Sequence, residues 1–146
     1  MNYSLLQVIK VLETFAQDHK QVSSFEMKDP LEMLNDSVNA FPTICGDLKN
    51  ISANNRDINI SIDLYFCDLV HKDLSNRFEV LSDQILIAMD LKPYILKTLQ
   101  DDNFLMPENF TLEPFYEKSD KEWTGVKMNF QIKLFNYNDN CQIPLV

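Results

Sequence analysis

The most regular pattern in the chain is a strict alternation of apolar and polar residues over two separate stretches. In residues 58–66 every even position is apolar, and the odd positions 57 to 63 are polar. Residues 126–134 repeat the arrangement, with Lys127, Asn129, Gln131 and Lys133 at the odd positions. A period of two is typical of a strand that buries one face. We expect two long strands in one sheet, with Asp63 facing a lysine of the second strand.

Two other stretches have the three- and four-residue spacing of amphipathic helices. The first helix is predicted over residues 3–18 from the positions of Leu5, Val8, Ile9, Leu12, Phe15 and Ala16. The second is predicted to begin at Asn76, which has the spacing of a capping box with Glu79, and to end near Gln100. Pro93 should kink or restart it. Its buried face is expected to hold Phe78, Leu81, Ile85, Ala88 and Met89.

Weaker patterns predict three shorter strands, at residues 21–28, 41–48 and 110–115. Pro42 places the second of these near a sheet edge or at a strand start, and Pro114 argues for an edge or a bulge in the third, because proline has no N–H to donate to a ladder. The charged stretch 117–122 is typical of a hairpin turn, and the polar stretch 50–56 of a linker. Residues 30–39 fit either one helical turn or an ordered loop.

These elements predict a single α+β domain over residues 1–135. We expect a mostly antiparallel sheet of four to five strands, with two main helices packed on one face. Residues 136–146 form a tail of a different kind, polar at first and apolar at its free end. Such a tail either packs back on its own domain or docks onto a neighbouring subunit.

Composition narrows the class of protein. The chain has 146 residues, of which 45% are hydrophobic, so it can bury one substantial core. Thirteen basic and 22 acidic residues give a net charge of −9, which disfavours binding to a phosphate backbone. The sequence contains no apolar run of membrane-spanning length and no secretion signal, so we expect synthesis in the cytosol and no membrane partner.

The sequence contains few candidates for catalytic, metal-binding or phosphate-binding residues. The chain has three cysteines, Cys45, Cys67 and Cys141, which lie too far apart in the sequence for a zinc or redox motif. Only two glycines occur, which excludes a phosphate-binding glycine loop. Asp68 and Asp73 near His71 come nearest to a catalytic cluster, but no nucleophile accompanies them, and His19 is expected to lie at a helix C-terminus. We therefore predict no enzyme activity, no cofactor and no metal ion.

Three stretches together resemble a known family. They are DLVHKDLSNRFEVLSD at 68–83, LEPFYE at 112–117 and DNCQIPL at 139–145. They look like a small structural protein of tailed bacteriophages, in the form seen in large phages of Bacteroides-type hosts, including the crAss-like group. The order of predicted elements is also similar to that of phage tail-terminator and tail-completion proteins. The resemblance covers about residues 57–145, and it departs where Trp123-Thr124-Gly125 replaces the usual Gly-Trp pair.

The resemblance implies a virion structural protein that forms a homo-oligomeric ring at the head-tail junction or on the tail, with six or twelve copies. The implied partners are further copies of the chain and adjacent neck, portal or tail proteins, while DNA passes through the lumen without being read. We expect the contact surfaces to be the loop 49–57 and the tail 136–146. The contact residues chosen on this basis are Asn50, Asn54, Asn55, Arg56, Cys141, Ile143, Pro144, Leu145 and Val146.

One alternative of another class stays open. The net charge of −9 also suits a small monomeric binding module that inhibits a basic partner protein. The same acidity could serve a DNA-repelling ring lumen or simple solubility.

Overall fold

The chain forms two helices and six strands over the residues that its structure, a computed structural model, describes: 4–28, 41–71, 73–99, 104–118 and 122–135. The helices are α1 (Leu5–Asp18) and α2 (Arg77–Thr98). The strands are β1 (Ser24–Met27), β2 (Thr43–Ala53), β3 (Asp57–Leu69), β4 (Phe104–Leu105), β5 (Leu112–Lys118) and β6 (Glu122–Phe135).

The two alternating stretches form the centre of one sheet. β3 and β6 pair antiparallel along their whole length, from Asp57 opposite Phe135 to Leu69 opposite Trp123. Their even-numbered side chains point to the same face and are buried against α1 and α2. The prediction that both stretches belong to one sheet, with apolar faces aligned, is confirmed.

The sheet is mixed and has six strands. Its order is β1-β2-β3-β6, with β4 and β5 both paired to the outer edge of β6. β1 runs parallel to β2, and every other pair is antiparallel. The α+β class with two helices is confirmed, but the strand count exceeds the four to five expected. β4 was not predicted because a strand of two residues, Phe104–Leu105, is too short to show an alternation of apolar and polar positions.

The capping box lies on the other helix. The Ser4 hydroxyl accepts the Gln7 N–H at 3.3 Å, and the Gln7 side chain accepts the Ser4 N–H at 2.7 Å. Asn76 is the N-cap residue of α2, as predicted, but the predicted capping box is wrong, because the Asn76 side chain caps no helix amide and instead accepts the His71 N–H at 2.8 Å.

The buried face of α2 was predicted only in part. Leu81 and Ala88 are buried as expected, together with Val80, Gln84, Ile87, Leu91 and Ile95. Phe78, Ile85 and Met89 are exposed instead. Apolar residues cover well over half of the circumference of this helix, so periodicity alone could not decide which side faces the sheet. The helix also continues through Pro93 to Thr98 without restarting.

The polar stretch 50–56 is not a linker. β2 continues to Ala53 after an irregularity between Leu48 and Asn50, and only residues 54–56 make the turn to β3. The pairing of Ser52 with Asn59 and Ala53 with Ile58 fixes these residues in the ladder. Polar residues are compatible with a strand here because this part of β2 is exposed on both faces.

Some predictions fall on residues outside the described part. These are the helical turn or loop at 30–39, the middle of the hairpin turn at 117–122, and the tail 136–146. β5 and β6, on either side of that turn, do pair antiparallel as a hairpin requires. Among the described residues, neither helix is long and apolar enough to cross a membrane.

Gly125 lies where a side chain would meet the backbone of the paired strand. A Cβ added at this position would overlap the carbonyl oxygen of Phe66, whereas one added at Gly46 would meet the side chain of Met27. A side chain can move away, but a paired strand cannot. We expect Gly125→Ala to lower the free energy of unfolding by about 3 kcal/mol and the matched Gly46→Ala by about 1 kcal/mol or less, measured by urea denaturation. Equal losses in both variants would contradict this account.

Candidate functional site

The sheet face opposite the helices carries a connected polar network. The Asn129 amide donates to Asp63 Oδ1 at 3.0 Å and to Ser61 Oγ at 2.9 Å. The Gln131 amide donates to Asn129 Oδ1 at 2.7 Å. Lys127 Nζ lies 3.6 Å from Asp63 Oδ2, so the predicted pairing of Asp63 with a lysine of the second strand is confirmed. The network fixes these side chains on β3 and β6.

Two ion pairs lie next to each other on the same face. Asp47 and Asp63 lie directly opposite each other in the β2–β3 register, and each carboxylate has its own lysine partner. Lys49 Nζ is 2.7 Å from Asp47 Oδ2, and this hydrogen bond raises the pKa of Lys49. Tyr65 lies beside these charged groups. Burial raises the pKa of Tyr65, while Lys127, 6.0 Å from the ring centre, acts to lower it. The face is therefore polar but close to charge balance.

The outer edge of β6 is paired at both ends and interrupted in the middle. β4 pairs with Leu134 and Lys133, and β5 pairs with 122–128. The six residues between them, 106–111, leave the sheet opposite the four residues 129–132; we call them the arch. Lys92 of α2 donates to the carbonyl oxygens of Pro107 and Glu108, at 2.9 and 3.1 Å, and so holds the arch away from β6.

Two adjoining cavities lie along the arch. The first, of about 380 Å³, opens between the arch and β6, and is lined on the helix side by Leu91, Met106, Phe110, Met128 and Phe130, and on the polar side by Asp63, Glu113, Lys127, Asn129 and Gln131. The second, of about 460 Å³, lies between Leu105–Glu108 and the polar face, where Asn50, Asn59, Ser61 and Lys133 line it. Volumes of this size are typical of ligand sites.

Twelve large apolar side chains are exposed in the described part of the chain, and six of them form two groups. The first, the α2 row, comprises Phe78, Ile85, Met89 and Leu96; the side chain of Phe78 is 80% exposed and that of Met89 55%. The second, the β2 patch, comprises Leu48 and Ile51, which are 40% and 48% exposed. The sequence suggested neither, since Phe78, Ile85 and Met89 were expected to be buried, Leu48 to end a strand and Ile51 to lie in a linker.

The contact residues predicted from the sequence are separated by the fold. Asn54, Asn55 and Arg56 form the exposed turn between β2 and β3, where the Asn54 side chain accepts the N–H groups of Arg56 and Asp57 at 2.8 and 2.9 Å. Asn50 belongs to β2 and borders the second cavity. Cys141, Ile143, Pro144, Leu145 and Val146 lie outside the described residues.

The side chains considered as candidates for a catalytic cluster have other interactions in the structure. Asp73 is exposed and its pKa is lowered by a hydrogen bond from the Ser75 backbone, while partial burial raises the pKa of Asp68. Cys45 and Cys67 are buried, and burial raises the pKa of the Cys67 thiol. His19 follows α1 directly and lies 2.9 Å from Asp90. Within the described part of the chain, no three potential ligands converge on a metal site.

The buried carboxylate of Asp63 should matter more than its exposed neighbour. Its loss leaves the Asn129 amide and the Lys127 ammonium short of a buried acceptor, which costs about 2 kcal/mol. Asp47 is more exposed and is repelled by Asp63, so its removal should change stability by less than about 0.5 kcal/mol. We expect Asp63→Ala to show the larger loss in chemical denaturation. An equal or smaller loss than in Asp47→Ala would show that the network does not stabilise the sheet.

Comparison with known proteins does not assign the chain to a family. No protein-family model matches the chain, and a search of curated proteins finds no match. What the site can do is therefore argued from its own geometry: an interrupted sheet edge, a cavity behind it, and two exposed apolar surfaces.

Proposed function

We propose that the chain is a structural subunit of a tailed-phage virion, which joins identical copies into a closed ring at the head-tail junction or on the tail. The observation that carries the proposal is the placement of the α2 row and the β2 patch on opposite flanks of one sheet. The three stretches that resemble phage neck and tail proteins support the virion context.

The α2 row faces the arch side of the domain. Met89 and Leu96 lie three and four residues from Lys92, which contacts the arch, so all three share one helix face. The side of α2 that carries Asp90 and Tyr94 contacts α1 instead, through His19 and Asp18. The row is therefore directed away from α1, toward the flank where β4 and β5 end the sheet.

The β2 patch lies on the other flank. Leu48 and Ile51 are in register with Ile62 and Ile60, so they share the helix-bearing face of the sheet. β1 pairs with β2 only as far as Gly46, and beyond that point no strand among the described residues pairs with the edge of β2 opposite β3. Apolar side chains and an open strand edge occur together here, an arrangement that folded proteins usually cover.

Two different surfaces on opposite flanks favour head-to-tail association. When the α2 row of one copy packs on the β2 patch of the next, the contact is heterologous, and a heterologous contact that closes generates a ring. The turn carrying Asn54, Asn55 and Arg56 would accompany the β2 patch into this contact, and the tail 136–146 would add to it. Six or twelve copies remain the expectation from the family resemblance.

The acidity of the chain fits a ring around DNA. A net charge of −9 per subunit would repel the phosphate backbone and let a duplex slide through the lumen. The same charge keeps a small protein soluble, so acidity supports the ring only in combination with the flanks.

A charge placed in the α2 row should weaken the ring. We expect Met89→Glu to raise the concentration at which rings dissociate by at least about tenfold, because an unpaired carboxylate would be buried in the contact. Gln17→Glu, on the exposed face of α1, adds the same charge as a control and should have little effect. Light scattering after size-exclusion chromatography measures the mass, and negative-stain microscopy shows whether the particles are rings.

A wild-type chain that stays monomeric at all concentrations would contradict the proposed function. Salt-sensitive capture of one basic protein by that monomer would then favour the inhibitor alternative.

A further inference from the structure

The gap in the outer edge of β6 is a place where a strand is missing. On its inner side β6 is paired throughout with β3, while on its outer side the segment 129–132 has no strand partner among the described residues. Alternate residues of an antiparallel strand direct both N–H and C=O groups to the same side. Alternate residues of this segment therefore direct their backbone groups outward.

The arch does not satisfy these groups. In the described part of the chain, no backbone hydrogen bond joins the arch to β6. The cavity of about 380 Å³ lies between them, and Lys92 keeps the arch at that distance. An extended peptide that entered the cavity would find unpaired strand edge along one wall, which is the basis of β-strand addition.

The lining favours a peptide with apolar side chains. Two carboxylates, Asp63 and Glu113, face two ammonium groups, Lys92 and Lys127, so the cavity has no net formal charge. The helix side of the cavity is apolar, and the open side offers the amides of Asn129 and Gln131. A highly charged ligand would gain little from this balance, whereas an uncharged, apolar strand matches both walls.

We propose that residues 143–146 of a second copy occupy this gap as an added antiparallel strand. Ile143-Pro144-Leu145-Val146 contains no charged side chain and is four residues long, as is the open segment 129–132. Seven residues, 136–142, connect Phe135 to the segment 143–146 and can span roughly 23 Å, which allows the segment to reach a neighbouring copy. β4 lies between the end of β6 and the gap along the same edge, which favours the tail of a neighbour over the chain's own.

The antiparallel direction sets the register of the added strand. It places Val146 opposite Asn129 and Pro144 opposite Gln131. This inference rests on the proposed ring, because it identifies where the tail of one subunit binds the next.

Disulfide trapping between differently labelled full-length chains tests the inference. One chain carries Gln131→Cys and the other Pro144→Cys, both in a Cys141→Ser background, while Cys45 and Cys67 stay buried. After mixing and mild oxidation we expect a covalent dimer on a non-reducing gel, at least about fivefold more abundant than with Lys97→Cys in place of Gln131→Cys. Removal of residues 143–146 should leave the circular-dichroism spectrum and melting temperature unchanged and raise the dissociation concentration of the ring at least about tenfold.

The outcomes separate the two proposals. Rings that form normally without the cross-link, or that keep their stability after the truncation, would overturn the tail site and leave the ring standing. A cross-link within a single chain carrying both cysteines, in place of one between chains, would show that the tail occupies its own gap and would also overturn it. A monomeric wild-type chain would contradict the ring itself.

Discussion

The pairing of β3 with β6 is the interaction on which the rest of the structure depends. It aligns two alternating strands over thirteen residue pairs, so that one face of the sheet is continuously apolar and the other continuously polar. A shift by one residue would place Ile60, Ile62 and Leu64 in water, and burial of each such side chain contributes about 1.5–3 kcal/mol. α1 and α2 then pack where apolar surface is offered, and the polar network of Asp63, Asn129 and Gln131 follows on the opposite face.

The pairing of β3 with β6 also determines which strand edges of the sheet stay open. β6 is longer than either strand on its outer side, and the arch between them leaves the outer edge of residues 129–132 without a strand partner in the described part of the chain. β2 extends past the end of β1, which exposes the β2 patch on the other flank. Both open edges therefore arise from unequal strand lengths in one sheet. A subunit that associates head to tail needs such unlike surfaces on opposite sides, and a sheet closed into a barrel would have no open strand edges to provide them.

α2 shows how a single helix can serve both the core and a contact surface. Val80, Ile87, Leu91 and Ile95 face the sheet, while Phe78, Ile85, Met89 and Leu96 face outward on the arch side. Lys92 lies on the outward face and holds the arch through two carbonyl oxygens. The same turn of helix therefore borders both the apolar row and the cavity, which places the two proposed contacts of a neighbouring copy side by side.

The amino-acid sequence by itself determined the long strands, α1, the class of the fold and the pairing of Asp63 with a lysine, because these depend on local periodicity and on the face that each residue occupies. It also indicated that Pro114 belongs to an edge, and β5 pairs with β6 alone. Tertiary structure alone decided the buried side of α2, the extension of β2 through Ala53, the strand β4 and the gap at 129–132. Those features depend on which apolar surfaces meet and on the relative lengths of strands that lie far apart in the chain, and no pattern within a single segment contains that information.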